Sequence, residues 1–257
     1  FFKQKTAYEI STRDWSSDVC SSDLPAATGP TQSLASDSLF RLFSQVKGGT
    51  YRHPVQQSLD KLMRAVPQDG QYAFYLEPAN HITRTTWTIT QPYTAYLGDA
   101  PQAQEIQCDI ARTGPLIDIN GDFVTLRNLW FSDVASATTV RVSGGTQVRI
   151  ENCVFDVADL AIEVMDGVSD VSVVECVFVG GTRAVHLRGT GARHRVAGCR
   201  FVASPVLPDA SIYADDAITD SLYDENIAAG AASSLLSVKA LTGYSIGTAI
   251  GTVTVRP

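Results

Sequence analysis

The chain has 257 residues, of which 20 are Lys or Arg, 27 are Asp or Glu and 44% are apolar. That length suits one sizeable domain or two small ones. A formal charge of −7 argues against a nucleic-acid or anionic-membrane surface, and no apolar run approaches the roughly 20 residues of a membrane span, so neither nucleic-acid binding nor membrane insertion is expected. Nineteen Gly beside two Met suits a turn-rich β protein better than a helical bundle.

The first 24 residues differ in composition from everything downstream. Asp14–Leu24 (DWSSDVCSSDL) resembles the translation of a short-read library adapter. Lys3–Ile10 (KQKTAYEI) resembles the translated primer before it, with Ser11–Arg13 at the index position. A segment of that origin was never selected to fold, so residues 1–24 are read as a disordered artefact and set aside. Without them the balance is 17 basic against 23 acidic residues, and Cys20 leaves the cysteine count. A targeting signal is therefore not legible at this end.

Residues 25–50 read as linker and short helix. Pro25–Ser36 is rich in Pro, Ala, Thr and Ser, while Asp37–Val46 has helical character and meets a stop at Gly48–Gly49. A domain then runs over residues 51–257. It opens with an amphipathic helix over 55–66, because Val55, Leu59, Leu62, Met63 and Val66 share one face of a 3.6-residue period. Pro67 ends it. Ala73–Leu76, Thr86–Thr90, Tyr93–Leu97 and Glu105–Ile110 follow as short β-branched or aromatic runs between turn residues.

From Pro115 a repeat governs the pattern. Leu126–Phe131, Ile150–Phe155, Val173–Phe178 and Val196–Phe201 align, with their Phe residues 24, 23 and 23 positions apart. Two positions before each Phe stand Leu129, Cys153, Cys176 and Cys199. An upstream strand recurs as Ile117–Ile119, Val140–Val142, Ile162–Val164 and Val185–Leu187, and turn residues follow at Asn120–Gly121, Gly144–Gly145, Asp166–Gly167 and Gly189. Weaker units lie at Ile212–Ile227 and Leu236–Ile250, which makes about six coils. Such a period marks a solenoid. About 23 residues at roughly 3.3 Å each give a contour near 75 Å, enough to close a coil around a packed interior. A leucine-rich repeat would need one Asn column, whereas that column reads Asn128, Asn152, Glu175, Gly198.

The repeat resembles the right-handed parallel β-helix (pectin-lyase-like) family over about Val55–Pro257. The resemblance implies an all-β solenoid with a short N-terminal capping helix, the place that 55–66 fills. It specifies architecture more than activity, because that scaffold hosts polysaccharide lyases, hydrolases, epimerases, phage tail spikes and adhesins.

The 23-residue spacing of Cys153, Cys176 and Cys199 stacks one position on successive coils, which predicts a packed thiol ladder rather than a zinc or disulfide site; no C-x-x-C pair accompanies them. Cys108 is expected in the core as well. No metal site is assigned. On the outward face of the strand containing Ile162 and Val185, period-2 alternation places Asp118, Arg141, Glu163, His186, Tyr213 and Ser237 in solvent. Two residues further along it places Asn120, Ser143, Met165, Arg188 and Asp215. Asp118, Arg141, Glu163, His186, Arg188 and Tyr213 are the candidate glycan-binding residues. A basic cluster runs through Arg183, His186, Arg188, Arg193, His194, Arg195 and Arg200.

A lyase acting on uronates needs a base for the proton α to the carboxylate and a cation for the enolate. The family resemblance implies an Arg or Lys base with Ca²⁺ held by acidic residues, which makes Arg188, His186, Glu163 and Asp215 the catalytic candidates. The Arg-x-Pro-x-x-Arg run of pectate lyases is absent, as are the Asn-Thr-Asp, Gly-His-Gly and Arg-Ile-Lys set of polygalacturonases; Asp215–Asp216 matches the latter only as a dipeptide. The expectation is a secreted, cell-surface or virion protein that meets a polysaccharide or cell-surface glycan without cleaving it, in the manner of a tail spike or adhesin, and needs no cofactor. The alternative is a lyase or glycoside hydrolase on an acidic polysaccharide, with Ca²⁺ if a lyase. Ala228–Ala232 and the weaker late coils point to a tapering end or an oligomer contact, a homotrimer being the assembly to test.

Overall fold

The computed structural model describes residues 50–53, 73–76, 79–82, 85–98, 100, 104–156, 159–203, 209–229, 233–239 and 244–257. The reading of residues 1–24, the linker and the helices expected over Asp37–Val46 and Val55–Val66 lie outside these residues. The described residues hold strands and turns and no helix, and every strand pairing is parallel.

The chain visits three columns of strands in turn. The first column stacks nine strands, Thr50–His53, Ala73–Leu76, Ala95–Gly98, Thr125–Arg127, Arg149–Glu151, Ser172–Val174, Arg195–Ala197, Ser221–Asp224 and Tyr244–Ile246. The second carries the Phe positions in Val154–Asp156, Val177–Val179 and Arg200–Val202. The third runs through Leu160–Val164, Arg183–Leu187, Ile212–Ala214, Ser234–Lys239 and Thr252–Arg256. Columns two and three join into one sheet of fourteen strands, because Gln104–Ile119 and Trp130–Val142 each run unbroken around the corner between them. The result is an all-β parallel solenoid in which Phe155 pairs with Phe131 and Phe178, and Ile162 with Val140 and Val185. Four strands escape the sequence pattern: Thr50–His53, Ala79–Ile82 and Thr190–Ala192, which are too short to stand out, and Thr252–Arg256, which lies past the last recognisable unit.

The register fills the interior with files of like residues. Phe131, Phe155, Phe178 and Phe201 stack with ring centroids 4.9, 5.1 and 5.0 Å apart and planes within 16°. All four are buried, and the file closes on Ile106 at one end and Ala228 at the other. Offset aromatic pairs contribute about 0.5–1.5 kcal/mol beyond their buried area. Beside them Cys153, Cys176 and Cys199 are free and buried; their thiols donate to Glu151 O, Val174 O and Ala197 O at 3.3, 3.4 and 3.5 Å. Burial pushes the thiols of Cys176 and Cys199 up, which keeps them protonated and unreactive. Cys108 lies where side chains are not described.

Two further files shape the corners. Asn128, Asn152, Glu175, Gly198 and Glu225 each hold a left-handed backbone (φ from 50° to 64°) between the first and second columns. There Asn152 Nδ2 donates to Asn128 Oδ1 at 2.8 Å, and Asn128 Nδ2 to Gly98 O at 2.9 Å. This is the column whose mixed composition argued against leucine-rich repeats, and its common property is backbone conformation. Two residues ahead of each first-column register position stands the other left-handed file, Tyr93, Phe123, Gln147, Asp170, Arg193 and Asp220. Gly145 shows how tight the rungs are, because a Cβ there would lie 2.2 Å from Gly121 O.

Phe155→Ala is expected to lower unfolding free energy by about 3–5 kcal/mol, since both stacked neighbours lose a contact face. Urea unfolding followed by far-ultraviolet dichroism measures it, and a loss below about 1 kcal/mol contradicts the stacked file. Cys153, Cys176 and Cys199 are expected to react with a thiol reagent only at the rate of unfolding.

Candidate functional site

Third-column pairing places Asp118, Arg141, Glu163, His186, Tyr213 and Ser237 in a single outward file, each register partner to the next. Sequence alternation expects that file in solvent. Instead Glu163 and His186 are only 4% and 6% exposed, because longer side chains from adjacent rungs close over them. The surface there is a groove of about 520 Å³, with Glu163, His186, Arg141, Arg183 and Arg188 in its lining. The long side chains that make it a groove come from different rungs, so one strand's pattern does not reveal it.

Glu163 is the centre of the groove. Its Oε2 accepts from Arg141 Nε at 3.0 Å and its Oε1 lies 2.5 Å from Arg188 Nε. Thr138 Oγ1 adds a longer contact of 3.4 Å to Oε2. Both arginines keep part of the guanidinium in the groove, with 30% and 46% of the side chain exposed. One rung on, His186 Nε2 lies 3.0 Å from Asp215 Oδ1, and its Nδ1 lies 3.5 Å from Arg183 Nη1. A guanidinium only donates, so Nδ1 accepts and the ring proton sits on Nε2, pointed at Asp215. Asp215 is itself fixed by the Gly189 N–H, 2.8 Å from Oδ2. Burial lowers the His186 pKa, and the Arg188 and Arg183 charges add to that; the Asp215 hydrogen bond and charge oppose it.

The four catalytic candidates Arg188, His186, Glu163 and Asp215 thus meet in one place. The other expected members fare differently. Asp118 Oδ1 is enclosed and without a hydrogen-bond partner one rung from Arg141. Tyr213 offers no open ring face for a sugar, because Arg183 and Arg256 set their guanidinia over it at 4.3 and 4.4 Å. Asp215 and Asp216 do not act as a pair, since Asp216 turns to Lys239 and Arg256. The sequence missed Asp159 and Asp209, which line the groove from the corner before the strand; Asp209 lies 3.4 Å from Arg183. No file of like residues marks them.

The basic cluster separates in space. Arg183 through Arg200 spans most of a 23-residue turn, so its members face different sides of the coil. Arg183, His186 and Arg188 reach the groove, Arg193 and Arg195 stand at the first column, and Arg200 faces out from the second. His194 points inward. It continues the buried file of Val124, Val148 and Val171, is 2% exposed, and neither ring nitrogen has a partner. Burial lowers its pKa to about 4.

Among the described residues, no group of His, Cys, Asp and Glu is arranged to hold a metal ion, and no helix is long and apolar enough to cross a membrane. No family model and no curated protein matches the chain. Solved structures do match its fold. An alginate lyase from Paenibacillus sp. str. FPU-7 aligns with a TM-score of 0.60 at 12% identity, over 79% of this chain and 76% of that one. A protein of Geobacillus virus E2, ORF18, aligns with a TM-score of 0.58 at 13% identity, over 73% of this chain. The chain spans about two fifths of that viral protein, 41% of its length. At such identities the likeness is one of fold, a parallel β-solenoid.

His194 makes stability acid-sensitive. Its folded pKa lies below the unfolded value near 6.5, so the unfolded chain takes up the extra proton between pH 6.5 and 4, and stability falls as pH drops through that window by about 3 kcal/mol. His194→Val, which completes the valine file, is expected to remove most of that loss relative to the parent chain in urea titrations at pH 7 and pH 4. Glu163→Gln leaves two guanidinia without their shared anion, and should cost about 1–2 kcal/mol at pH 7.

Proposed function

We propose that the third-column groove binds a glycan without cleaving it, and that the glycan is largely uncharged. One observation carries this: the ionisable groups on the groove floor are already partnered by one another. Glu163 is held by two arginines, which weakens it as a base, and the His186 ring nitrogens face Asp215 and Arg183 rather than open groove. Three arginines (Arg141, Arg183, Arg188) and three carboxylates (Asp159, Glu163, Asp209) line the groove, and their charges balance. A polyanion gains little there. Sugar hydroxyls, which donate and accept, suit alternating guanidinium and carboxylate groups well. The stacked rungs make a stiff lateral face, consistent with a secreted, cell-surface or virion protein of pectin-lyase-like descent. The viral protein of similar fold supports the virion version.

The competing reading is a lyase on an acidic polysaccharide, and the His186–Asp215 pair beside Arg183 supports it. In that reading His186 Nδ1 would take the α-proton as the glycosidic C–O bond at the β-carbon breaks to leave a double bond, Arg188 would face the substrate carboxylate, and water would protonate the departing oxygen. The alginate lyase of similar fold lends the scaffold a precedent.

Affinity electrophoresis against neutral and acidic polysaccharides separates the two. Retardation by a neutral glycan is expected, weakened about tenfold by Arg141→Ala or Arg188→Ala. Incubation with alginate or polygalacturonate, with and without Ca²⁺, should yield no unsaturated product in the ultraviolet. Turnover abolished by Arg188→Ala overturns the non-catalytic reading.

A further inference from the structure

The left-handed file ahead of the first column puts aromatic rings where the backbone disfavours them. Tyr93 and Phe123 hold φ of 56° and 57°, a region that bulky side chains rarely adopt and that Gly or Asn fills at lower cost. Their side chains point outward, so the core gains nothing from them. Tyr93 is 50% exposed, and its ring stacks on Phe123 at 4.5 Å and 9°. Tyr93 is the exposed ring of this pair, and it supplies the open aromatic surface that Tyr213 does not provide in the other groove.

Phe123 lines one end of a second groove of about 430 Å³ that runs along the solenoid axis, and Tyr93 extends that end by one rung. Its lining climbs rung by rung from Phe123 and Thr125 to Gln147 and Arg149, then to Asp170, Ser172 and Arg193. The charge here does not balance. Arg193 is held by Asp170 through two bonds of 2.8 and 2.6 Å, whereas Arg149 has only a 3.6 Å contact with Glu151 and stays 61% exposed along its side chain. Arg195, also exposed, sits in the same outward file two rungs above Arg149, with Ser172 between them. Two rungs are about 10 Å, close to the repeat of a disaccharide.

We propose that this groove is a second saccharide site, distinct from the third-column groove, and that it takes an acidic oligosaccharide lying along the axis. A sugar ring covers the Tyr93–Phe123 platform through its C–H face, and Arg149 and Arg195 meet carboxylates carried on every second residue. Gln147 and Ser172 serve the hydroxyls between. The geometry favours an alternating polymer over one with a carboxylate on each sugar, since in this outward file Arg149 and Arg195 stand on alternate rungs with Ser172 between them. It does not depend on the reading of the first groove, which shares no residue with it.

Calorimetric titration of the full chain with a hyaluronan hexasaccharide, a uronate alternating with a neutral sugar, tests the site, with cellohexaose and a ten-nucleotide oligo-dT as controls. Binding of hyaluronan is expected to weaken about tenfold in Tyr93→Ala and in Arg149→Ala, and to keep its strength in Arg188→Ala. Both side chains are exposed, so unchanged melting curves will show that the variants fold. Three results overturn the proposal: no heat from hyaluronan at millimolar concentration, equal affinity in the Tyr93 and Arg149 variants, or tighter binding of oligo-dT, which would make the platform a nucleic-acid surface. If Arg188→Ala alone abolishes hyaluronan binding, the acidic ligand belongs to the other groove and this one is empty.

Discussion

Parallel stacking in register is the constraint from which the rest of this molecule follows. Each strand pairs with its equivalent one turn later, about 4.8 Å away, so a residue's nearest neighbour is the residue some 23 positions on. Interior positions answer by repeating themselves. A slip of one residue would turn Phe155 and Ile162 outward and carry Glu163 into the core, so the apolar files fix the register firmly. Corners that admit only a left-handed residue fix it again, twice per turn.

The same rule acts differently on the outside. Like charges stacked one rung apart repel, and the third-column file avoids this by alternating: Asp118, Arg141, Glu163, then His186 and Tyr213. Alternation lets Arg141 and Glu163 pair along the axis. In the groove the Glu163 carboxylate is removed from water while its arginines stay part-exposed, so the attraction of the pairs largely goes to offsetting the desolvation of that carboxylate. Their yield is rigidity and orientation more than stability. The groups best placed for chemistry are thereby also the most fully engaged.

The left-handed file at the other corner has no interior duty for its side chains. Backbone conformation is set by the turn, while side-chain identity is open, and the chain spends it on an aromatic pair, an amide and a carboxylate–guanidinium clasp. One scaffold rule thus yields two faces of different character, one balanced in charge and one with arginines to spare.

The repeat made the solenoid readable from the sequence, because in-register stacking converts a linear period into a spatial file. Phe131 to Phe201, the cysteine ladder and the outward order from Asp118 to Tyr213 could all be written down before any coordinate. The burial of Glu163 and His186, the closure of Tyr213 by Arg183 and Arg256, and the inward turn of His194 could not. Each depends on how far long side chains reach across rungs and around a coil, and period-2 alternation describes only the strand that bears them. The sequence by itself determined which residues share a file, since the period alone sets that. Only the tertiary structure decided which of those files lie open to solvent, since that is settled by neighbours one rung away.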